Sequence, residues 1–79
     1  MIDVKAAVRV ALDYTKEFSE FLPTYSVRLE ETEFVDTGYW DITLSFQEEP
    51  FSASRVYKVF HIDAGTGEVR SMKVRELAR

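Results

Sequence analysis

The chain has 79 residues, 46% of them apolar and 14% aromatic, enough for one domain with its own core and too many for a disordered chain. It has no cysteine, which excludes a disulfide framework or a thiolate metal site; a domain this small without staples is marginal alone, which leaves self-association open. The net charge of -4 argues against general nucleic-acid affinity, but it is unevenly spread: residues 1–49 carry 11 acids and 4 bases, residues 50–79 carry 3 acids and 6 bases.

Residues 3–22 read as a helix. Val4, Ala7, Val8, Ala11, Leu12, Thr15, Phe18 and Leu22 recur at steps of three and four, so they share one face. Asp3 is placed to cap the first turn, and Pro23 stops the helix because the residue before proline avoids the helical region. Ala7 and Ala11 would let the helix lie close to a sheet. The first residues lead straight into this charged, amphipathic pattern. No continuous apolar stretch serves as a secretory signal or membrane span, so a cytosolic chain with no membrane partner is expected.

After Pro23 the period changes to two. Tyr25, Val27 and Leu29 begin a first strand that runs to Val35, and Asp36-Thr37-Gly38 turns it, with Gly38 expected to supply the positive φ. The second strand sets Trp40, Ile42, Leu44 and Phe46 on a buried face and Tyr39, Asp41, Thr43 and Ser45 on a wet one. A polar loop from Gln47 to Ser54, broken by Pro50, leads to a third strand, Arg55 to Asp63, with Val56, Phe60 and Ile62 inward. Asp63-Ala64-Gly65-Thr66-Gly67 turns into a fourth strand, Glu68 to Glu76, where Val69, Met72 and Val74 break strict alternation and imply a bulge. The expected fold is α+β: an N-terminal helix packed on a four-stranded antiparallel meander, the helix being the only element able to cover its apolar face.

The segment Tyr57-Lys58-Val59-Phe60-His61-Ile62-Asp63-Ala64-Gly65-Thr66-Gly67-Glu68-Val69 resembles the closing hairpin of PepSY-type domains, where a strand enters an Asp-Ala-x-Thr-Gly-Glu-Val turn. The second strand and the alanine-bearing helix are also similar to that family's layout, which is cystatin-like. The resemblance implies a non-catalytic domain, with inhibition or regulation of peptidases as its role. It also implies a place outside the cytoplasm or beside a membrane, and there this sequence departs from the family by showing no export signal. The turn has a plain structural reason as well: Asp63 can accept from backbone N–H groups, and Gly65 and Gly67 allow unusual dihedrals.

His61 is the only histidine, and Ser19, Ser26, Ser45, Ser52, Ser54 and Ser71 lack nucleophile-elbow context, so His61 is expected to be a structural strand residue and the chain not an enzyme. Glu30, Glu31, Glu33, Asp36, Glu48 and Glu49 do not converge on one loop as calcium requires; no metal or cofactor is expected. Two surfaces remain as partner-binding candidates. Phe51, just after Pro50, either folds back over the open end of the core or anchors a partner. Tyr39, Tyr57, Val59 and His61 form an outer sheet face more apolar than a solvated one, which cross-strand pairs or a homodimer would account for. The expected function is a binding or regulatory module acting sterically through a hairpin loop or sheet edge, its partner another protein or a second copy. The other reading is an immunity- or antitoxin-type protein that neutralises a toxin through its acidic strand.

Overall fold

A computed structural model describes residues 1–17, 25–51 and 53–75. In order these form α1 (Val4–Glu17), β1 (Tyr25–Val35), β2 (Tyr39–Gln47), β3 (Val56–Asp63) and β4 (Val69–Arg75). The strands make one antiparallel sheet in the order β1-β2-β3-β4, the expected α+β meander, with β1 and β4 at its two edges. The last expected helical turn, with Phe18, Leu22 and the Pro23 stop, lies outside the described residues, as do Ser19, Ser52 and Glu76. No described helix is long and apolar enough to cross a membrane.

Asp3 caps α1: its Oδ1 accepts from the Ala6 N–H at 2.9 Å, and its carbonyl takes the first helical bond, from Ala7. Two further bonds fix the helix entry to the sheet. The Ile2 N–H donates to the Ala64 carbonyl at 2.7 Å, and the Trp40 indole donates to the Ile2 carbonyl at 3.0 Å. The buried face of the helix is rotated from the one its spacing predicts. Ala7 and Ala11 are fully buried and Val8, Val10 and Tyr14 pack on the core, whereas Leu12 is exposed. Small side chains win because they let the helix axis approach the sheet, and Tyr14 then reaches Phe60 edge-on with ring centroids 5.8 Å apart.

The core is Ile42 and Leu44 from β2, Phe60 and Ile62 from β3, and the two helix alanines, with Trp40, Val69 and Met72 packed around them. Cross-strand pairing sets Ile42 beside Phe60 and Phe60 beside Met72, so β2 presents its apolar alternation to the helix as the sequence predicts. The expected bulge in β4 appears as a register shift opposite His61 and Ile62. β1 is less regular than expected. Its pairing with β2 shifts twice, between Tyr25 and Arg28, where Ser26 is left-handed at φ 54°, and between Leu29 and Glu31.

The β1–β2 turn departs from the reading that gave Gly38 the positive φ. Asp36 (φ 50°) and Thr37 (φ 54°) are the left-handed residues, and the Gly38 N–H closes the turn on the Val35 carbonyl at 3.2 Å. A β-branched residue is strained there, because its Cβ crowds the backbone. Thr37→Gly is therefore expected to raise stability by about 1 kcal/mol, the strain relieved outweighing the entropy that glycine loses. An unchanged or lower urea midpoint would show that Thr37 sits there without strain.

In the β3–β4 turn Asp63 behaves as expected: its Oδ1 accepts from the N–H groups of Gly65 (2.8 Å) and Thr66 (3.1 Å). Only Gly67, at φ 78°, is left-handed; at Gly65 a Cβ would stand 3.2 Å from the Asp63 carboxylate, a contact the carboxylate would have to yield to by a few tenths of an ångström. These backbone bonds, with smaller help from Arg70, hold the Asp63 carboxyl below its ordinary value. A depressed carboxylate stabilises the fold above its unfolded pKa, and that contribution disappears as pH falls through the folded one. The melting temperature of the wild type should consequently drop more steeply below about pH 4 than that of Asp63→Asn. Parallel pH profiles would remove Asp63 from the account of acid stability.

Candidate functional site

The outer face of the sheet is where most of the candidate residues lie, and it is more polar than the sequence implies. Tyr39, Asp41, Thr43 and Ser45 stand on β2 opposite Asp63, His61, Val59 and Tyr57 on β3. Tyr39, Tyr57, Val59 and His61 are thus brought together as expected, but each is half-buried. Thr43 and Ser45, expected to be wet, are 2% and 0% exposed. Long charged side chains from β1, β4 and the connection before β3 cover them. The Ser45 hydroxyl donates to Glu30 Oε2 at 2.5 Å and accepts from Arg55 Nε at 2.9 Å, and Arg55 also donates to the Ser26 and Ser45 carbonyls. From the opposite edge, Arg75 on β4 reaches across the sheet to Glu31 on β1 (2.6 Å) and lies 3.4 Å from the Thr43 hydroxyl. Charged hydrogen bonds of this kind satisfy the buried hydroxyls, and no buried side-chain polar atom among the described residues lacks a partner.

His61 sits within this lattice. Its Nδ1 is 2.5 Å from Asp41 Oδ1, and Tyr39 stacks on its ring at 4.3 Å between centroids. Asp41, Val59, His61, Ser71 and Lys73 line a shallow open depression of about 180 Å³. Ser71 stands opposite His61 in the β3–β4 register, which gives the row an Asp–His–Ser order. Among the described residues, however, no hydrogen bond joins the imidazole to Ser71. The arrangement orients a histidine; a nucleophile would have to be held against it for acyl transfer. No group of three or more potential metal ligands occurs among the described residues.

The loop candidates fall elsewhere. Pro50 and Phe51 lie in the β2–β3 connection, and Phe51 is 100% exposed, so the ring does not fold back over the core. It stands apart from the tyrosine-bearing face and does not join it in one site.

A third surface, expected from the sequence only as a sheet edge and an acidic strand, is β1. β1 is an edge strand of 11 residues, nine of them exposed, and it contains neither proline nor glycine. On the helix side it shows Leu29 (50% exposed) and Phe34 (42%), the latter edge-on to Trp40 at 5.0 Å. An apolar groove of about 450 Å³ runs between β1 and the helix, lined by Val4, Val8, Leu29 and Thr32 with Lys5 and Arg9 at its rim. On the outer side the strand carries Glu31 and Glu33. The signal was present: in a meander the first strand is an edge unless something else covers it, and edges are usually blunted by lysine, proline or shortness. None of those three occurs in β1; its protection is limited to charged side chains and the register shifts between Tyr25 and Glu31, which leaves residues 31–35 as a regular edge.

Against protein-family models, curated proteins and solved structures, the chain has no significant match.

Proposed function

We propose that this protein is a small non-catalytic binding module that takes an extended segment of a partner protein along its β1 edge. The observation that carries this reading is the strand itself: long, exposed, two-sided, and regular over residues 31–35. Unpaired backbone groups along an edge supply affinity for an added strand, and side chains on alternate faces supply selectivity. Here the helix side offers an apolar rail, Leu29 and Phe34, and the outer side an acidic row, Glu31 and Glu33. The fitting partner is a strand with apolar residues on one face and basic residues on the other. Its capture acts sterically, by keeping that segment from its own target.

Two biological settings share this edge. A PepSY-like, cystatin-like regulator of peptidases is supported by the helix-then-meander order and by the Asp63 turn, with its bonds to Gly65 and Thr66. An immunity-type neutraliser of a basic toxin is supported by the acidic row. Strong weakening of binding by salt favours the second, and inhibition of a peptidase favours the first.

A labelled peptide of alternating valine and lysine, followed by fluorescence anisotropy, tests the edge directly. Phe34→Lys puts a charge on the apolar rail and is expected to weaken binding about tenfold or more, while Phe51→Ser leaves it unchanged. Loss on Phe51→Ser with Phe34→Lys at wild-type affinity would move the site to the loop.

A further inference from the structure

The two edges of the sheet are complementary, and we infer that the chain pairs with further copies of itself head to tail, β4 of one copy lying antiparallel along β1 of the next. This names a second copy as a partner for the edge and so rests on the strand-addition reading above. On β4 the outer side carries Ser71, Lys73 and Arg75, opposite His61, Val59 and Tyr57, while Met72 and Val74 face the helix side opposite Phe60 and Lys58. On β1 the outer side carries Glu31 and Glu33, and Thr32 and Phe34 stand on the helix side opposite Ile42 and Trp40. One antiparallel register satisfies both faces. It sets Glu33 against Lys73 and Glu31 against Arg75 on the outer side, with Phe34 against Met72 and Thr32 against Val74 on the other.

Three observations favour this register. Phe34 (42% exposed) and Val74 (66%) are among the few large apolar side chains left exposed, and they lie at opposite edges of one face, where such a joint would cover both. Glu33 and Lys73 have no ion-pair partner among the described residues, whereas Glu31 is held by Arg75 of its own chain. The irregular pairings also lie outside the joint. β1 shifts register between Tyr25 and Glu31, and the β3–β4 shift lies before Ser71, so residues 31–35 and 71–75 are regular. Symmetric pairing of the same two segments is disfavoured by the same charges, since residues 31–35 on their own copy oppose glutamates and residues 71–75 on theirs oppose cations.

β1 and β4 run antiparallel to each other, so repetition extends one antiparallel sheet with every helix on the same side. The joint uses different surfaces on its two halves, and it therefore closes into a ring or continues as an open chain. Five residues a side make a small contact, so association is weak and depends on concentration and salt.

Sedimentation velocity on the full chain at low ionic strength, over a concentration series into the millimolar range, tests this. Wild type is expected to associate progressively. Glu33→Lys and Lys73→Glu should each weaken association by roughly three- to tenfold. The double variant, which restores an opposite pair at every joint, should recover it. Both changes are at exposed positions, and far-ultraviolet dichroism of each single variant checks that it folds. A wild type that stays monomeric throughout overturns the inference, as does association that either single substitution leaves intact or the double fails to restore. If the monomer still binds the alternating valine–lysine peptide, only self-pairing is lost; if it binds neither, the strand-addition reading falls with it.

Discussion

Phe60→Ala is expected to lower the stability of the chain by about 3–5 kcal/mol, the usual cost of removing a buried aromatic ring. The ring is 1% exposed, lies beside Ile42 and Met72 in the cross-strand register, and takes the edge of Tyr14 from the helix. It therefore joins three strands and the only helix described. At about 0.05–0.15 kcal/mol per residue, a chain of this length has roughly 4–12 kcal/mol in total, so the variant loses from about a quarter to all of it. Urea unfolding followed by far-ultraviolet dichroism measures this. A loss below about 1 kcal/mol would mean that the space around Phe60 collapses readily and that the helix–sheet contact is carried elsewhere.

The second large effect concerns the helix and runs against ordinary hydrophobic scoring. Ala11→Leu adds an apolar side chain, yet it is expected to destabilise by about 1–3 kcal/mol, because Ala11 is fully buried where the helix meets the sheet and the larger group must push them apart. Leu12→Ala removes an apolar side chain and should cost less than about 1 kcal/mol, because Leu12 is already 37% exposed. Ranking the two variants by thermal unfolding fixes which face of the helix is inward. The opposite ranking would restore the face that simple spacing predicts.

That pair of residues also shows how far the sequence was legible. Periodicity located the helix and gave its cap correctly through Asp3, but α1 carries apolar residues over a wide arc, from Val4 through Val10 to Tyr14. Spacing alone then cannot choose the part of the arc that makes contact; the closest approach permitted by Ala7 and Ala11 does. β2 was read well because one face packs on the core, and a strict alternation records that directly. Its other face was misread at Thr43 and Ser45, whose burial depends on Arg55, Arg75 and Glu30 arriving from other parts of the chain. Such long-range cover leaves no local pattern. The β1–β2 turn was misassigned because glycine is the usual residue at positive φ, whereas here Asp36 and Thr37 take that conformation.

The candidate site was legible in its elements more than in its position. Acidic residues in the first strand and basic residues in the last were both visible, and so was the meander that puts those strands at opposite edges. The outer-face residues Tyr39, Tyr57, Val59 and His61 come together as the alternation predicts, but within a lattice of hydrogen bonds and ion pairs. Exposure then singles out the sheet edges, β1 above all, and the fully exposed Phe51 as contact surfaces. Strand addition is favoured over the loop because an edge offers a row of backbone groups as well as side chains, while Phe51 offers a single ring.

The central claim, that β1 is the working surface, is tested most directly by titrating isotope-labelled protein with the alternating valine–lysine peptide and following every backbone amide by nuclear magnetic resonance. The account predicts that the largest shifts fall within Tyr25–Val35 and that β1 amides gain protection from hydrogen exchange on saturation. Shifts confined to the outer face around His61 or to the Phe51 loop, with β1 unmoved, would contradict it.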